Sequence, residues 1–134
     1  MRDILNEVRA ALVSRGNENV FYAYDTVPAN RKGEFYTLLG IKSYEAMTPV
    51  YSQYTVFMPF KAEIEITVSA PLLTSMSALY GYFEEKIQPA IDDMSGLSGR
   101  LCRLTIKQDS NLKRFLLTAG ISAGGIRRIE RNIL

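Results

Sequence analysis

Phe60, Ala62, Ile64, Ile66, Val68 and Ala70 alternate with Lys61, Glu63, Glu65, Thr67 and Ser69. A two-residue period belongs to a β-strand with one side in a core and the other in water. Ile4, Leu5, Val8, Ala11 and Leu12 instead return every three or four residues, after Asp3 and before Gly16. That spacing predicts a short amphipathic helix, capped by an acid and stopped by a glycine. Leu72, Met76, Leu79, Tyr80, Phe83, Ile87, Ile91 and Met94 predict a second helix, with Thr74 as N-cap and "SGLSG" (95–99) as its end. Pro89 should kink or restart it. Gly81 inside it costs about 1 kcal/mol against alanine.

The remaining segments read mostly as strands. "NVFYAY" (19–24) and "FYTLLGIKSYEAM" (35–47) are rich in aromatic and β-branched residues, with Gly40 the place for a bulge or interruption. Between them "DTVPANRKGE" (25–34) has loop composition. Cys102, Leu104 and Ile106 alternate with Arg103, Thr105 and Lys107; "DSN" (109–111) is a turn, and Phe115, Leu117, Ala119 and Ile121 mark a further strand. The closing "GGIRRIERNIL" (124–134) fits either a short helix through Ile126, Ile129 and Ile133 or a continuation of the sheet.

One stretch fits no period. "TPVYSQYTVFMPF" (48–60) is bounded by Pro49 and Pro59 and carries Tyr51, Tyr54, Phe57 and Phe60. Its prolines argue against a central strand, so it reads as a long hairpin loop or a ragged edge. Together the elements predict one α+β domain over residues 1–134, an antiparallel β-sheet with two helices packed on one face.

Composition narrows the function. The chain has 134 residues, 47% apolar and 22% charged, ordinary for a soluble globular protein. No apolar run approaches the roughly 18 residues of a membrane span, and the N-terminus does not read as a secretory signal. A single cysteine cannot close an intramolecular disulfide, which points to an intracellular setting. There is no histidine, which excludes Ser-His, Cys-His and HExxH chemistry and removes the commonest ligand of transition metals. The expectation is a non-enzyme, with no catalytic residue, metal or cofactor.

The candidate chemical groups agree with this. Glu63 and Glu65 share a strand face roughly 7 Å apart, but no second set of ligands accompanies them, and they read as a solvated face. Glu84-Glu85 and Asp92-Asp93 lie off the helix stripe and read as solvated too. Cys102 reads as a buried thiol beside Leu104 and Ile106. "GISAGG" (120–125) lacks the spacing of a phosphate loop and reads as a turn.

Charge is segregated: residues 1–99 carry 8 basic and 12 acidic side chains, residues 100–134 carry 8 and 2. Such asymmetry serves contact with nucleic acid or attraction between copies of the chain. Lys113, Arg114, Arg127, Arg128 and Arg131 supply the basic part. The alternative function is a nucleic-acid-binding or other small interaction module using this basic C-terminal segment; nucleic-acid binding would need those charges on one face, with aromatics for stacking. Tyr51, Tyr54, Phe57 and Met58, outside any core period, are either an interface or internal packing.

The element order resembles the tail terminator and tail completion (head-tail joining) proteins of bacteriophages and prophages, small α+β proteins that form rings capping the tail tube where it meets the head. The resemblance rests on the chain length, the leading "ILNEVRAALVSRG", the region ending in "YTVFMPFKAEIEITVSAP", the helix "LTSMSALYGYFEEKIQPAI" and the closing β segment. It implies a structural virion protein that acts by assembly. Its partners would be its own copies, in a homo-oligomeric ring such as a hexamer, and tail tube or neck proteins, with no membrane. It would reside in the host cytoplasm during assembly and then in the tail or neck of the virion. Tyr51, Tyr54, Phe57, Met58, Arg127, Arg128 and Arg131 are the expected interface residues.

Overall fold

The computed structural model describes residues 2–17, 19–23, 35–111 and 113–130. Helix α1 (Arg2–Ser14) buries Ile4, Leu5, Val8 and Leu12. Asp3 lies inside its first turn rather than capping it. Gly16, at φ 90°, ends it: the Gly16 N–H donates to Val13 C=O at 3.0 Å and the Asn17 N–H to Leu12 C=O at 3.2 Å. This is the left-handed helix stop that glycine makes without a Cβ clash.

The second helix begins one residue later than expected. Ser75, not Thr74, is the N-cap, its Oγ accepting from the Ala78 N–H at 3.1 Å. It runs as α2 (Met76–Tyr82), a π-helical turn over Phe83–Ile87, and α3 (Gln88–Asp92). The kink expected at Pro89 takes the form of that wider turn, in which the Gln88 N–H reaches back to Phe83 C=O. Leu79, Phe83, Ile87, Ala90 and Ile91 stay buried across the transition, whereas Tyr80 faces outward.

Among the described residues six strands form one sheet: β1 (Val20–Tyr22), β2 (Tyr36–Ala46), β3 (Val50–Tyr51), β4 (Thr55–Pro71), β5 (Ser98–Asp109) and β6 (Arg114–Glu130). Their order is β1-β2-β4-β6-β5, with β3 paired to β4 beyond the end of β2. The expected all-antiparallel sheet is corrected at one edge, where β1 pairs with β2 in parallel, Val20 opposite Thr37. The connection over 23–35 has the length a parallel crossover requires. The predicted loop 25–34 lies outside the described residues.

Three local expectations give way. The bulge in β2 falls between Ile41 and Ser43, and Gly40 pairs regularly with Glu65. Thr55–Pro71 is one central strand despite Pro59. Pro59 C=O accepts from the Met47 N–H at 2.9 Å, so its missing N–H faces the same side, in the gap where β2 has ended and β3 has not begun. The third change is in β5, where a bulge between Leu101 and Arg103 shifts the phase by one. Leu101, not Cys102, packs toward the core with Ile106, and Cys102 is exposed.

Both helices cover one sheet face. Phe60, Ala62, Ile64, Ile66, Val68 and Ala70 of β4 share a buried cluster with Leu117, Ala119, Ile121 and Ala123 of β6 and the helix stripes. The opposite face, from Lys61, Glu63, Glu65 and Thr67 to Ser122, Gly120 and Thr118, is open.

Candidate assembly interface

β4 and β6 are each 17 residues long, longer than the core they cross. From Phe60 to Pro71 the apolar side of β4 lies under the helices. From Thr55 to Pro59 it continues as an arm, paired on one side with Val50–Tyr51 and on the other with Ile126–Glu130. Five residues at about 3.3 Å each give a projection of roughly 17 Å. Ser52 closes the β3–β4 turn: its Oγ accepts from the Thr55 N–H at 3.1 Å and its N–H donates to Thr55 C=O at 2.8 Å. This leaves Tyr54 at the tip.

The register divides the arm into two faces. Tyr51, Val56, Met58, Arg127 and Ile129 lie on the side that farther along carries the helices. Val50, Phe57, Ile126 and Arg128 lie on the side continuous with the open sheet face. Both are apolar, and no apolar residue of the arm belongs to the core cluster. Tyr51, Tyr54 and Ile126 are each more than 60% exposed, and Val50, Ile129 and nearby Met47 are exposed as well. A strand apolar on both sides is normally one covered on both sides. Among the described residues nothing packs fully over either face, and Val56, Phe57 and Met58 are only half-buried. β5 begins opposite Gly124, so from Gly125 onward β6 also lacks a neighbour on its outer edge among the described residues.

Of the predicted interface residues the structure brings six together. Tyr51, Tyr54, Phe57, Met58, Arg127 and Arg128 all lie on this arm, and Arg131 lies outside the described residues. Arg128 sits over the Phe57 ring, 5.8 Å from its centroid. Val50 was missed by sequence reasoning, and Ile126 and Ile129, read as helix candidates or sheet, now stand on the strand.

The basic segment does not form one patch. Arg127 and Arg128 point to opposite faces, and Arg114 is at the far end of β6, roughly 40 Å away by strand rise. Arg114 is only 3% exposed. Its Nε donates to Ser69 Oγ at 2.6 Å, its Nη2 to Ser69 C=O at 3.1 Å, and it lies 4.6 Å from the Tyr36 ring centroid. Burial lowers its pKa, opposed by the Tyr36 hydroxyl. The contacts with Ser69 tie β6 to β4.

Glu63 and Glu65 line a hollow of about 300 Å³ on the open sheet face, with Lys42 on β2 and Cys102 and Arg103 on β5. The two cations, brought in from neighbouring strands, are what the sequence did not place there. Among the described residues no group of three acidic or thiol side chains is arranged to hold a metal ion. No described helix is long and apolar enough to cross a membrane.

No family model matches the chain, and no curated protein matches it. Among solved structures it is similar to the type 4 fimbrial biogenesis protein PilO from Pseudomonas aeruginosa, at 13% identity over 96% of this chain and 69% of that one, with a TM-score of 0.32. The core region of PilO from the type IV pilus system of the same organism is 13% identical over 72% of this chain and 84% of that one, with a TM-score of 0.27. Similarity at those scores carries no argument about role. The functional reading rests on the arm.

Proposed function

We propose that this chain is a structural subunit that works by assembling with copies of itself, in a ring of the tail terminator or neck kind at the end of a phage or prophage tail tube. One observation carries the assembly reading: an arm apolar on both faces, with exposed apolar residues on each face that no described residue covers. Exposed apolar surface concentrated in one projecting element marks a protein contact. The tail-terminator assignment comes from the resemblance of the whole element order. Unlike surfaces meeting head to tail close into a ring when the rotation allows, and a tube-capping role needs such closure. The arginines on opposite faces disfavour the nucleic-acid alternative.

Sedimentation over a wide concentration range, with and without tail tubes, tests the reading. The natural chain is expected to self-associate, and Tyr54→Ser and Phe57→Ser to weaken that association while leaving the fold intact. A chain that stays monomeric even with tail tubes, or an oligomer indifferent to both substitutions, would sink the proposal.

A further inference from the structure

Self-association through the arm leaves open how the sheets of neighbouring copies meet. Among the described residues the sheet has two long uncovered edges. β1 pairs with β2 only at Thr37–Leu39, so β2 has no neighbour on that side from Ile41 to Ala46. At the other edge β5 pairs with β6 alone, from Ser98 to Asp109.

Both edges present their backbone groups in the same phase. Leu39 faces the helices, and its C=O accepts from the Ala23 N–H on the β1 side at 2.7 Å. Hydrogen-bond direction alternates along a strand together with side-chain direction, and it reverses between antiparallel neighbours. The helix-facing residues of β2 and of β5 therefore turn their N–H and C=O groups outward, Tyr44 and Leu104 among them.

The two edges differ in charge. On the open face β5 carries Arg100, Arg103 and Lys107 against Asp109. β2 and its neighbour β4 carry Glu45, Glu63 and Glu65 there against Lys42 and Lys61. Lys42 lines a hollow with Glu63 and Glu65 of its own chain. Neither Glu45 nor Arg103, which lies over Gly120, has an ion-pair partner among the described residues. Charged side chains and a bulge on each edge bar indiscriminate pairing, so the partner must be an edge that matches them. One β5 facing another would set a basic excess against itself.

Resting on the assembly reading, we propose that β5 of one copy adds antiparallel to the open edge of β2 in a second copy, with Arg103 opposite Glu45, Leu104 opposite Tyr44 and Thr105 opposite Ser43. Within the sheet β2 and β5 lie three antiparallel steps apart, so copies joined this way keep one orientation and align their helix-covered faces. Leu104, 41% exposed, gains the Tyr44 ring as a neighbour. Glu45 to Val50 and Arg103 to Ser98 both span five residues. The second copy's β3 therefore arrives near Ser98, where β6 of the first is left without a neighbour. The two edges are unlike, so the contact is head to tail and closes a ring when the rotation allows.

Sedimentation and cross-linking of the full chain test it. Arg103→Glu and Glu45→Arg are each expected to weaken self-association about tenfold or more, and the combined variant to recover most of the loss. Leu104→Pro removes an outward N–H, which an edge strand tolerates, and should weaken association as much while the fold stays intact. In a Cys102→Ser background, Ser43→Cys together with Thr105→Cys should form an intermolecular disulfide on mild oxidation, and neither cysteine alone should do so. Cross-linking by Thr105→Cys alone would show β5 paired with itself and overturn the proposal, as would failure of the charge swap to recover. If Tyr54→Ser and Phe57→Ser weaken association while the edge variants leave it unchanged, the sheet edges do not join and the arm reading survives. A chain monomeric with and without tail tubes overturns both.

Discussion

The ring of Phe60 lies across Gly125 on the neighbouring strand, where a Cβ would come 2.6 Å from Phe60 Cζ and 2.9 Å from Cε1. Phe60 also stacks on Tyr44, with ring centroids 5.6 Å apart, so it has little freedom to move aside. This pair marks where the helix-covered core ends and the arm begins. Gly125→Ala is expected to destabilise the fold by about 1–3 kcal/mol, the usual cost of overpacking. In a Phe60→Leu background the same change should cost much less, because the clashing ring is gone. Denaturant unfolding of the four proteins measures the coupling; strictly additive effects would show that the ring does not confine Gly125.

Phe83 provides the test of the helix-on-sheet core. It shares the buried cluster with Leu79, Ile87, Ile64, Ile66 and Val68. Phe83→Ala should cost about 3–5 kcal/mol by urea unfolding. A loss below about 1 kcal/mol would mean that the π-helical turn lets neighbouring side chains collapse into the space.

The core was legible because its signals are local. Phe60 to Ala70 alternates in the sequence as it does in space, and Leu79, Phe83 and Ile87 keep their helical spacing. The arm was legible only as an exception: Val56, Phe57 and Met58 lack alternation because neither face looks onto this chain's own core. Pro59 argued against a central strand, but a proline blocks donation on one side only, and there the neighbour is a gap. The bulge in β5 moved Cys102 out and Leu101 in, a shift by one residue that periodicity cannot foresee. The parallel pairing of β1 was hidden because its partner lies across residues 23–35, whose length was the available sign. Lys42 and Arg103 reach the glutamates only through strand pairing.

Cys102 follows directly from that bulge. Its thiol is exposed, with Sγ 3.6 Å from Arg100 C=O. Maleimide should label the folded protein to completion, and Cys102→Ser should shift stability by no more than about 0.5 kcal/mol. Labelling that requires denaturant would restore the buried position first expected from the sequence.

Tyr82 links the two helices and gives the fold an alkaline limit. Its hydroxyl donates to Asn17 Oδ1 at 2.7 Å, while Asn17 Nδ2 donates to Leu12 C=O and Lys86 C=O, each at 2.9 Å. Asn17 is buried, so the end of α1 is tied to the second helix through a fully engaged amide. Burial pushes the Tyr82 phenol above its ordinary 10.0, and the Thr37 hydroxyl beside it offsets only part of this. A raised phenol pKa means the folded state prefers the neutral form. The corresponding stability is fully present below about pH 10 and is lost as pH rises through the folded pKa. Tyr82→Phe removes this dependence but leaves Asn17 Oδ1 without its donor, costing about 1–3 kcal/mol at neutral pH. The gap between natural and Tyr82→Phe proteins should therefore narrow above pH 10, which unfolding curves at pH 7 and pH 11 would measure. A gap that stays constant would show that the phenol ionises as readily in the fold as in the unfolded chain.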